Sequence, residues 1–314
     1  MKAYWSGLTP TVRATVLMLG AALFFSGMST GIRYAADAGM HAFQIAFFRN
    51  VFGLVFLLPW LMRAGLAGLR TSRLRLHGLR AFFNVFSMMG TFYAITVLPL
   101  AQVTALNFTV PLFATLLAPF ILKEVVGPRR LMATLIGFAG ALVIVRPGAE
   151  TMDPTSLIVL GSALLSGMNI MIVKILARTE NPEAIAVYMV LLLIPLSLLP
   201  ALFVWQWPSL EALLAVVVVG GLGTAGHILF NRGFALADAS YLIGFDYTKL
   251  PFVALFAWLF FAQSTSLWTW AGAAIIAGAG FYIARREALL AKDKTRPSLS
   301  PTTVPTPGRV GQGQ

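Results

Sequence analysis

The chain has 314 residues, of which 58% are hydrophobic and 11% charged, and its mean hydropathy is +0.83. A soluble domain carries about 25% charged residues, so this chain has too few polar side chains to cover its own surface in water. Lipid admits only helices and closed barrels, and the apolar runs lack the alternation of barrel strands. The composition excludes a soluble domain and predicts an all-α integral membrane protein. The chain also has no cysteine, which excludes disulfides and thiol chemistry.

Ten apolar stretches have the length and composition of membrane-spanning helices, which take roughly 20 residues. They cover residues 12–32, 42–62, 79–98, 101–121, 131–147, 155–176, 184–205, 210–235, 239–262 and 267–285. The first is too long for a typical signal peptide, and no small-residue cleavage site follows it. We therefore predict two five-helix units at 12–147 and 155–286. The segment 287–314 is rich in Pro, Ser, Thr and Gly and is predicted to be a disordered cytoplasmic tail.

A short pattern recurs near the end of each unit. Leu100–Leu106 followed by Val110-Pro111 corresponds to Leu236–Leu242 followed by Leu250-Pro251. A unit of five spans crosses the membrane an odd number of times, so the second copy enters from the opposite side. Inverted repeats of this kind are the architecture of many secondary transporters. The sequence therefore predicts ten transmembrane helices in two inverted five-helix repeats.

The formal net charge of +12 is explained by where the basic residues lie. With the N-terminus in the cytoplasm, only Arg33 and Arg146 of the 23 Lys and Arg residues fall in the opposite loops. Arg49 and Lys249 lie well within spans, and all the others fall in cytoplasmic segments or at the cytoplasmic ends of spans. The positive-inside rule therefore places both termini in the cytoplasm. The basic charge is a topology signal, and we expect no nucleic-acid partner.

Pro111 and Pro251 lie in the fourth span of each repeat. A proline in a helix removes a backbone hydrogen bond and frees a carbonyl group. The matched placement favours two hinges beside a central substrate path. An ordinary kink is the alternative, because proline is common in membrane helices.

Ionisable side chains within spans are costly, so each needs a partner or a function. The second span carries Arg49, and the ninth carries Asp246, Tyr247 and Lys249 just before Pro251. Asp246 and Lys249 are three residues apart and share a helix face. They are candidates for contact with substrate or a proton, and a buried structural ion pair is the alternative. Arg49 is expected to balance charge, either against a carboxylate or carbonyls or against an anionic substrate group.

Four further polar residues are predicted to line a central cavity: Asn107, Tyr93, His227 and Asn231. His227 and Asn231 are four residues apart and lie on one helix face. His227 could couple transport to protons, since histidine titrates near neutral pH. A hydrogen bond between helices is the alternative. The three histidines lie far apart in sequence, so we expect no metal site, no catalytic residue and no cofactor.

The segment from Leu98-Pro99-Leu100-Ala101 through Pro111 to Lys123-Glu124, with Val145-Arg146-Pro147-Gly148, resembles the EamA-type drug/metabolite transporter superfamily. That resemblance implies ten helices in two inverted repeats around a cavity that opens alternately to either side. The family often has a glutamate ending the fourth helix of each repeat. Glu124 keeps it, but Gln263 stands at the second position, which puts any role of that second charge in doubt.

The motif Phe48-Arg49-Asn50 is similar to bacterial members described as riboflavin or S-adenosylmethionine uptake transporters. We therefore predict a secondary transporter of a small polar or aromatic metabolite in the bacterial inner membrane, acting by alternating access. An amino acid, riboflavin or an S-adenosylmethionine-like molecule would be its substrate. The alternatives are a membrane protein that does not transport and an intramembrane enzyme. The sequence leaves open the direction of transport, the coupling ion and the oligomeric state.

Overall fold

The computed structural model describes residues 10–64, 71, 73–123, 126–146, 153–176, 180, 182–234, 236 and 247–295, and these contain helices without any strand. The helices are α1 (Pro10–Asp37), α2 (Ala42–Ala64), α3 (Leu74–Val97), α4 (Leu100–Asn107), α5 (Val110–Ile121), α6 (Pro128–Val145), α7 (Thr155–Leu176), α8 (Pro182–Phe203), α9 (Leu210–Phe234), α10 (Lys249–Phe261) and α11 (Leu267–Thr295).

The fourth span of the first repeat is two helices rather than one. Helix α4 ends at Asn107 and α5 begins at Val110, with Phe108 and Thr109 forming a turn between them. Pro111 lies in the first turn of α5, where a missing N–H leaves no helical bond unmade. The expected kink within a continuous helix is therefore a break, and the proline starts the second segment.

The second repeat has its counterpart at α10. This helix begins at Lys249, and Pro251 again lies in its first turn, directly after a turn at Tyr247 and Thr248. Residues 237–246 lie outside the described residues. The two prolines therefore occupy equivalent positions near the start of a short apolar helix in each repeat.

The helices of each repeat pack mainly against helices of the other repeat, as expected for two inverted repeats. Helix α1 packs on α9 and α3 packs on α7, which pairs the first helix of one repeat with the third of the other. Equivalent helices also pack on each other: α2 on α8, α4 on α10, and α6 on α11. The ten-helix fold with an internal inverted repeat is thus confirmed.

Small residues allow the closest of these approaches. A Cβ atom on Gly140 of α6 would lie 2.9 Å from the carbonyl oxygen of Gly272 on α11, closer than real Cβ contacts. Likewise, a Cβ on Gly220 of α9 would lie 2.7 Å from Cβ of Phe52 on α2. Such backbone proximity gains dispersion contacts that large side chains prevent, as is typical of helices packed in lipid.

Four described segments have both the length and the hydropathy to cross a membrane: Val12–Asp37, Leu100–Ile121, Thr155–Val173 and Leu210–Phe230. Five further helices contain shorter apolar segments, such as Ala42–Leu58 in α2. Helix α11 continues to Thr295, so residues 287–295 of the segment predicted as a disordered tail are helical. The prediction for residues 296–314 falls outside the described residues.

The helical bundle has two ends, which we call the terminal face and the loop face. The terminal face carries the start of α1, the end of α11, and the connections between α2 and α3 and between α7 and α8. The loop face carries the connections at 38–41 and 204–209. A hydrogen bond from Thr71 Oγ1 to Glu180 Oε1 (2.8 Å) joins the two connections of the terminal face.

Candidate functional site

Arg49 of α2 and His227 of α9 meet inside the bundle, although they are far apart in sequence. A guanidinium N–H of Arg49 (Nη2) lies 3.3 Å from His227 Nε2. A guanidinium can only donate, so Nε2 accepts and the imidazole is neutral with its proton on Nδ1. Arg49 Nη1 also donates to Asn50 Oδ1 at 3.1 Å. The second and eighth spans thus build one polar centre, which sequence spacing alone did not connect.

Phe25 of α1 extends this centre toward α10. Its ring packs edge-on against His227 at 4.9 Å between centroids, and Lys249 Nζ lies 4.8 Å from the centroid of the same ring. Ser26 donates a hydrogen bond to the carbonyl oxygen of Lys249 at 3.3 Å. Four helices, two from each repeat, therefore contribute to the central cluster, which we define as Phe25, Arg49, His227 and Lys249.

The central cluster is not closed off by protein. His227 contacts side chains of α1 and α2, yet its own side chain is exposed. Arg49 contacts its imidazole, and Lys249 lies against the same Phe25 ring. Among the described residues, no carboxylate lies within ion-pair distance of Arg49. The central cluster therefore brings two basic side chains to an accessible imidazole.

Neighbouring side chains hold Arg49 in place. Asn50 is buried and donates to Ser197 Oγ of α8 at 3.3 Å, and the sulfur of Met88 on α3 lies 4.0 Å from Arg49 Nη1. A Cβ atom on Gly223 would lie 2.9 Å from the sulfur of Met28 and 3.4 Å from Arg49 Nε, so glycine there leaves room for the Met28 side chain next to Arg49. These contacts orient Arg49 while its side chain stays half-exposed.

The two helix breaks meet beside this centre. Phe108, in the turn between α4 and α5, packs edge-on against Tyr247, in the turn before α10, with centroids 4.8 Å apart. Asn107 ends α4, and its Nδ2 donates to the carbonyl oxygen of Val103 at 3.0 Å. Interrupted helices facing each other between repeats are typical of transporter binding sites.

The remaining predicted residues lie apart from the central cluster or cannot be placed. Tyr93 lies near the end of α3 at the loop face and lines a different cavity. Asp246 lies outside the described residues, and so does the side chain of Asn231, whose backbone belongs to α9. The predicted pairing of Asp246 with Lys249 stays a prediction.

Sequence reasoning missed a second arginine, Arg80, by assigning it to a cytoplasmic segment. Arg80 is buried in α3, where its guanidinium donates to Asn169 Oδ1 at 3.2 Å and to the carbonyl oxygen of Ile185 at 2.7 Å. One turn before it, His77 is buried with Nε2 3.9 Å from Glu180 Oε2. One feature of the sequence could have indicated a buried partner for Arg80: Asn169 is a polar residue within the sixth span.

Metal binding requires several donor side chains close together, and no group of three His, Asp or Glu side chains occurs among the described residues.

Gln263, the departure from the family pattern, accepts a hydrogen bond from the backbone N–H of Leu100 at 3.3 Å. This neutral amide therefore caps the start of α4 in the other repeat.

Two inverted five-helix repeats, a broken fourth helix and a polar centre between the repeats define a membrane transporter. The sequence model of the EamA-like transporter family matches residues 12–146 and 154–285. The chain therefore belongs to the EamA-like transporter family, as its motifs indicated.

Curated relatives extend this result. The chain is 35% identical over 280 residues to a riboflavin transporter of Brucella anthropi, covering 86% of this chain and 98% of the relative. It is 34% identical to a riboflavin transporter of Vibrio cholerae, with 84% and 90% covered. An S-adenosylmethionine uptake transporter of Rickettsia bellii is 30% identical, with 78% and 84% covered. A solved crystal structure, 22% identical, matches with a TM-score of 0.58 over 89% of this chain and 98% of its own, which shows a shared fold.

Proposed function

We propose that this transporter moves riboflavin or a closely similar flavin, which binds at the central cluster between the two repeats. The observation that carries the proposal is the contact of Arg49 with an exposed His227. We propose that these two side chains border the substrate cavity. A flavin ring system carries carbonyl oxygens and ring nitrogens that accept hydrogen bonds. Arg49 would donate to these acceptors once the substrate displaces its contact with the imidazole.

Charge favours riboflavin over S-adenosylmethionine. Arg49 and Lys249 bring two positive charges to the central cluster, and the single predicted carboxylate, Asp246, would leave one of them in excess. S-adenosylmethionine carries a sulfonium centre and a net positive charge, so it would be repelled. Riboflavin is uncharged near neutral pH, so the positive charge of the site does not repel it. Two curated relatives named riboflavin transporters agree with this choice.

Aromatic side chains favour the same ligand. Phe25 borders the cavity next to His227, and the pair of Phe108 and Tyr247 lies at the helix breaks. Flat rings pack on such faces in offset or edge-on arrangements and gain about 0.5–1.5 kcal/mol beyond area burial. The central cluster thus joins hydrogen-bond donors to aromatic surface, the combination that a flavin requires.

Movement would occur at the two breaks. Backbone turns at Phe108–Thr109 and Tyr247–Thr248 precede helices that start at Pro111 and Pro251, so rotation there breaks no regular helix. We propose that these turns act as the hinges of alternating access. Both termini would face the cytoplasm of a bacterial inner membrane, as the distribution of Lys and Arg predicts. Neither a catalytic residue nor a cofactor has a part in this proposal.

Flux into proteoliposomes tests the proposal. Purified full-length protein should accumulate riboflavin faster than protein-free liposomes, and excess unlabelled riboflavin should compete. S-adenosylmethionine and a panel of amino acids should compete weakly. Stronger competition by S-adenosylmethionine than by riboflavin would contradict the charge argument. Absence of flux for every compound would instead favour the alternative of a membrane protein without transport activity.

Asp246 is tested separately. Asp246→Asn removes its charge and keeps its size, and flux should fall severely if this carboxylate contacts substrate or a coupling proton. The matched control is Asp153→Asn, at the start of α7, where the carboxylate accepts the backbone N–H of Thr155 at 2.8 Å. Hydrogen bonds from Thr155 hold the pKa of Asp153 below its usual value, and the control should leave flux unchanged. Normal flux in Asp246→Asn protein would remove Asp246 from the site.

A further inference from the structure

A second cavity opens at the loop face and has a volume of about 580 Å³. It lies between the α1–α2 connection, the end of α3, and the connection between α8 and α9. Small-molecule sites typically measure about 300–1,000 Å³. The cavity is therefore large enough for a metabolite, and the central cluster does not line it.

Its lining combines flat rings with hydrogen-bonding groups. Trp205, Tyr93 and His41 contribute rings, and Asp37 and Gln206 contribute polar side chains. Half of the Asp37 side chain is exposed, and its Oδ1 lies 3.3 Å from Arg33 Nε. Burial lowers the pKa of His41, so this ring is neutral near pH 7 and offers an uncharged face. Rings beside one carboxylate match a planar aromatic heterocycle that carries N–H or O–H donors.

The wall that bears Trp205 is fixed by the fold. Gln44 of α2 is buried, and its Nε2 donates to the backbone carbonyl oxygen of Gln206 at 2.8 Å. The Trp205 ring packs against Phe48 at 5.6 Å and against Phe47 at 6.0 Å. These contacts hold the indole at the cavity before any ligand arrives, which lowers the entropy cost of binding.

Aromatic side chains extend from this cavity along α2. Phe48 packs against Trp205 and stacks on Phe52, with ring centroids 6.2 Å apart and planes 20° from parallel. Phe48 and Phe52 are one helical turn apart, so they continue the aromatic surface of Trp205 along one face of α2.

We infer that the cavity at the loop face is a second binding site, at which the aromatic ring of the substrate stacks on Trp205 and its donors face Asp37 before it moves to the central cluster. The choice of riboflavin as its ligand rests on the proposed function. The location of the site rests on the cavity and its lining alone. Its role is to capture substrate from the side of the membrane that the loop face contacts.

Riboflavin fluorescence gives a direct test, because the anisotropy of its emission rises when the flavin is bound to protein, and an indole in contact with the flavin also quenches that emission. Riboflavin is titrated with full-length protein in detergent. A saturable rise in anisotropy is expected for the wild type, with an apparent Kd raised about tenfold in Trp205→Leu through the loss of stacking. Trp207→Leu is the matched control: Trp207 lies on the same connection, is 87% exposed, does not line the cavity and contacts the Trp205 ring only edge-on, with centroids 6.0 Å apart. It should bind like the wild type.

Two further variants separate this site from the central cluster and from misfolding. Arg49→Ala should keep the quenching that depends on Trp205, although flux falls. Trp205→Phe keeps a ring on Phe47 and Phe48 and should recover most of the affinity. Equal Kd values for Trp205→Leu and Trp207→Leu would overturn the site, as would failure of Trp205→Phe to recover affinity at a wild-type melting temperature. Binding that depends on Trp205 without any riboflavin flux would sustain this site and reject the proposed function.

Discussion

Arg80 and Arg49 both carry a charge into the helical bundle, but their surroundings differ. Arg80 is buried, and it donates to a side-chain carbonyl oxygen, a backbone carbonyl oxygen and the sulfur of Met189. Arg49 is half-buried, and its contacts are its neighbour Asn50, the more distant sulfur of Met88 and an exposed imidazole. An arginine whose N–H groups donate to fixed acceptors of the protein has a structural role. An arginine whose N–H groups donate to an accessible acceptor, which a substrate can replace, is suited to contact that substrate.

Arg80→Ala should give the largest effect, and it should act on stability. The change leaves Asn169 Oδ1 and the carbonyl oxygen of Ile185 without their donor, and each buried unpaired group costs about 1–3 kcal/mol. The melting temperature in detergent and the yield of folded protein should both fall sharply. Arg80→Lys keeps the charge with a different donor geometry and should recover part of the loss. A wild-type melting temperature in Arg80→Ala would refute the structural assignment.

Arg49→Ala should act on transport instead. Hydrogen bonds to charged groups contribute about 1.5–3 kcal/mol, so the loss of one substrate contact should lower flux by about 10- to 100-fold. The melting temperature should stay close to that of the wild type, because water in the cavity can satisfy His227. Arg49→Lys should retain intermediate flux. If Arg49→Ala were as unstable as Arg80→Ala, the distinction between the two arginines would fail.

His227→Gln should have a smaller effect. The amide oxygen of glutamine can accept from Arg49 as the imidazole does, so flux down a riboflavin gradient should stay within about threefold of the wild type. The contact with Arg49 keeps the imidazole unprotonated, so any stimulation by an imposed pH gradient should survive the change. His77→Gln, near the terminal face, is the control. Loss of the pH response in His227→Gln but not in His77→Gln would place proton coupling at His227.

The two methionines that contact the arginines offer the finest comparison. Met189 lies 3.3 Å from Arg80 Nη2, whereas Met88 lies 4.0 Å from Arg49 Nη1. Methionine-to-leucine changes conserve volume and usually cost less than about 1.5 kcal/mol. Met189→Leu should lower the melting temperature slightly, and Met88→Leu should leave it unchanged. The reverse order would mean that Arg49 depends on its protein acceptors more than Arg80 does.

Much of the fold could be predicted because it depends on composition and order along the chain. Apolar length identified the spans, and the recurrence of Leu100–Pro111 at Leu236–Pro251 identified the repeat. The break at Phe108–Thr109 was less accessible. A proline predicts disturbed helix, but whether that helix bends or stops depends on packing, which here includes the contact of Phe108 with Tyr247.

The site was only partly predictable. Arg49, His227 and Lys249 stood out because ionisable residues are costly within a span, and the structure brings them together. Tyr93 was expected beside them and lies in the other cavity, because its position near the end of α3 places it at the loop face. Arg80 looked like a residue of a cytoplasmic segment, since nothing near it in sequence reveals acceptors that come from α7 and α8.

The sequence by itself determined that the chain enters lipid, how many times it crosses and which family it belongs to. Each of these follows from the free energy of moving side chains between water and hydrocarbon and from motifs local in the chain. Only the tertiary structure decided which of the embedded charges are satisfied by the protein. That depends on acceptors from helices distant in sequence, and it is the difference between Arg80, held by α7 and α8, and Arg49, in contact with an exposed imidazole.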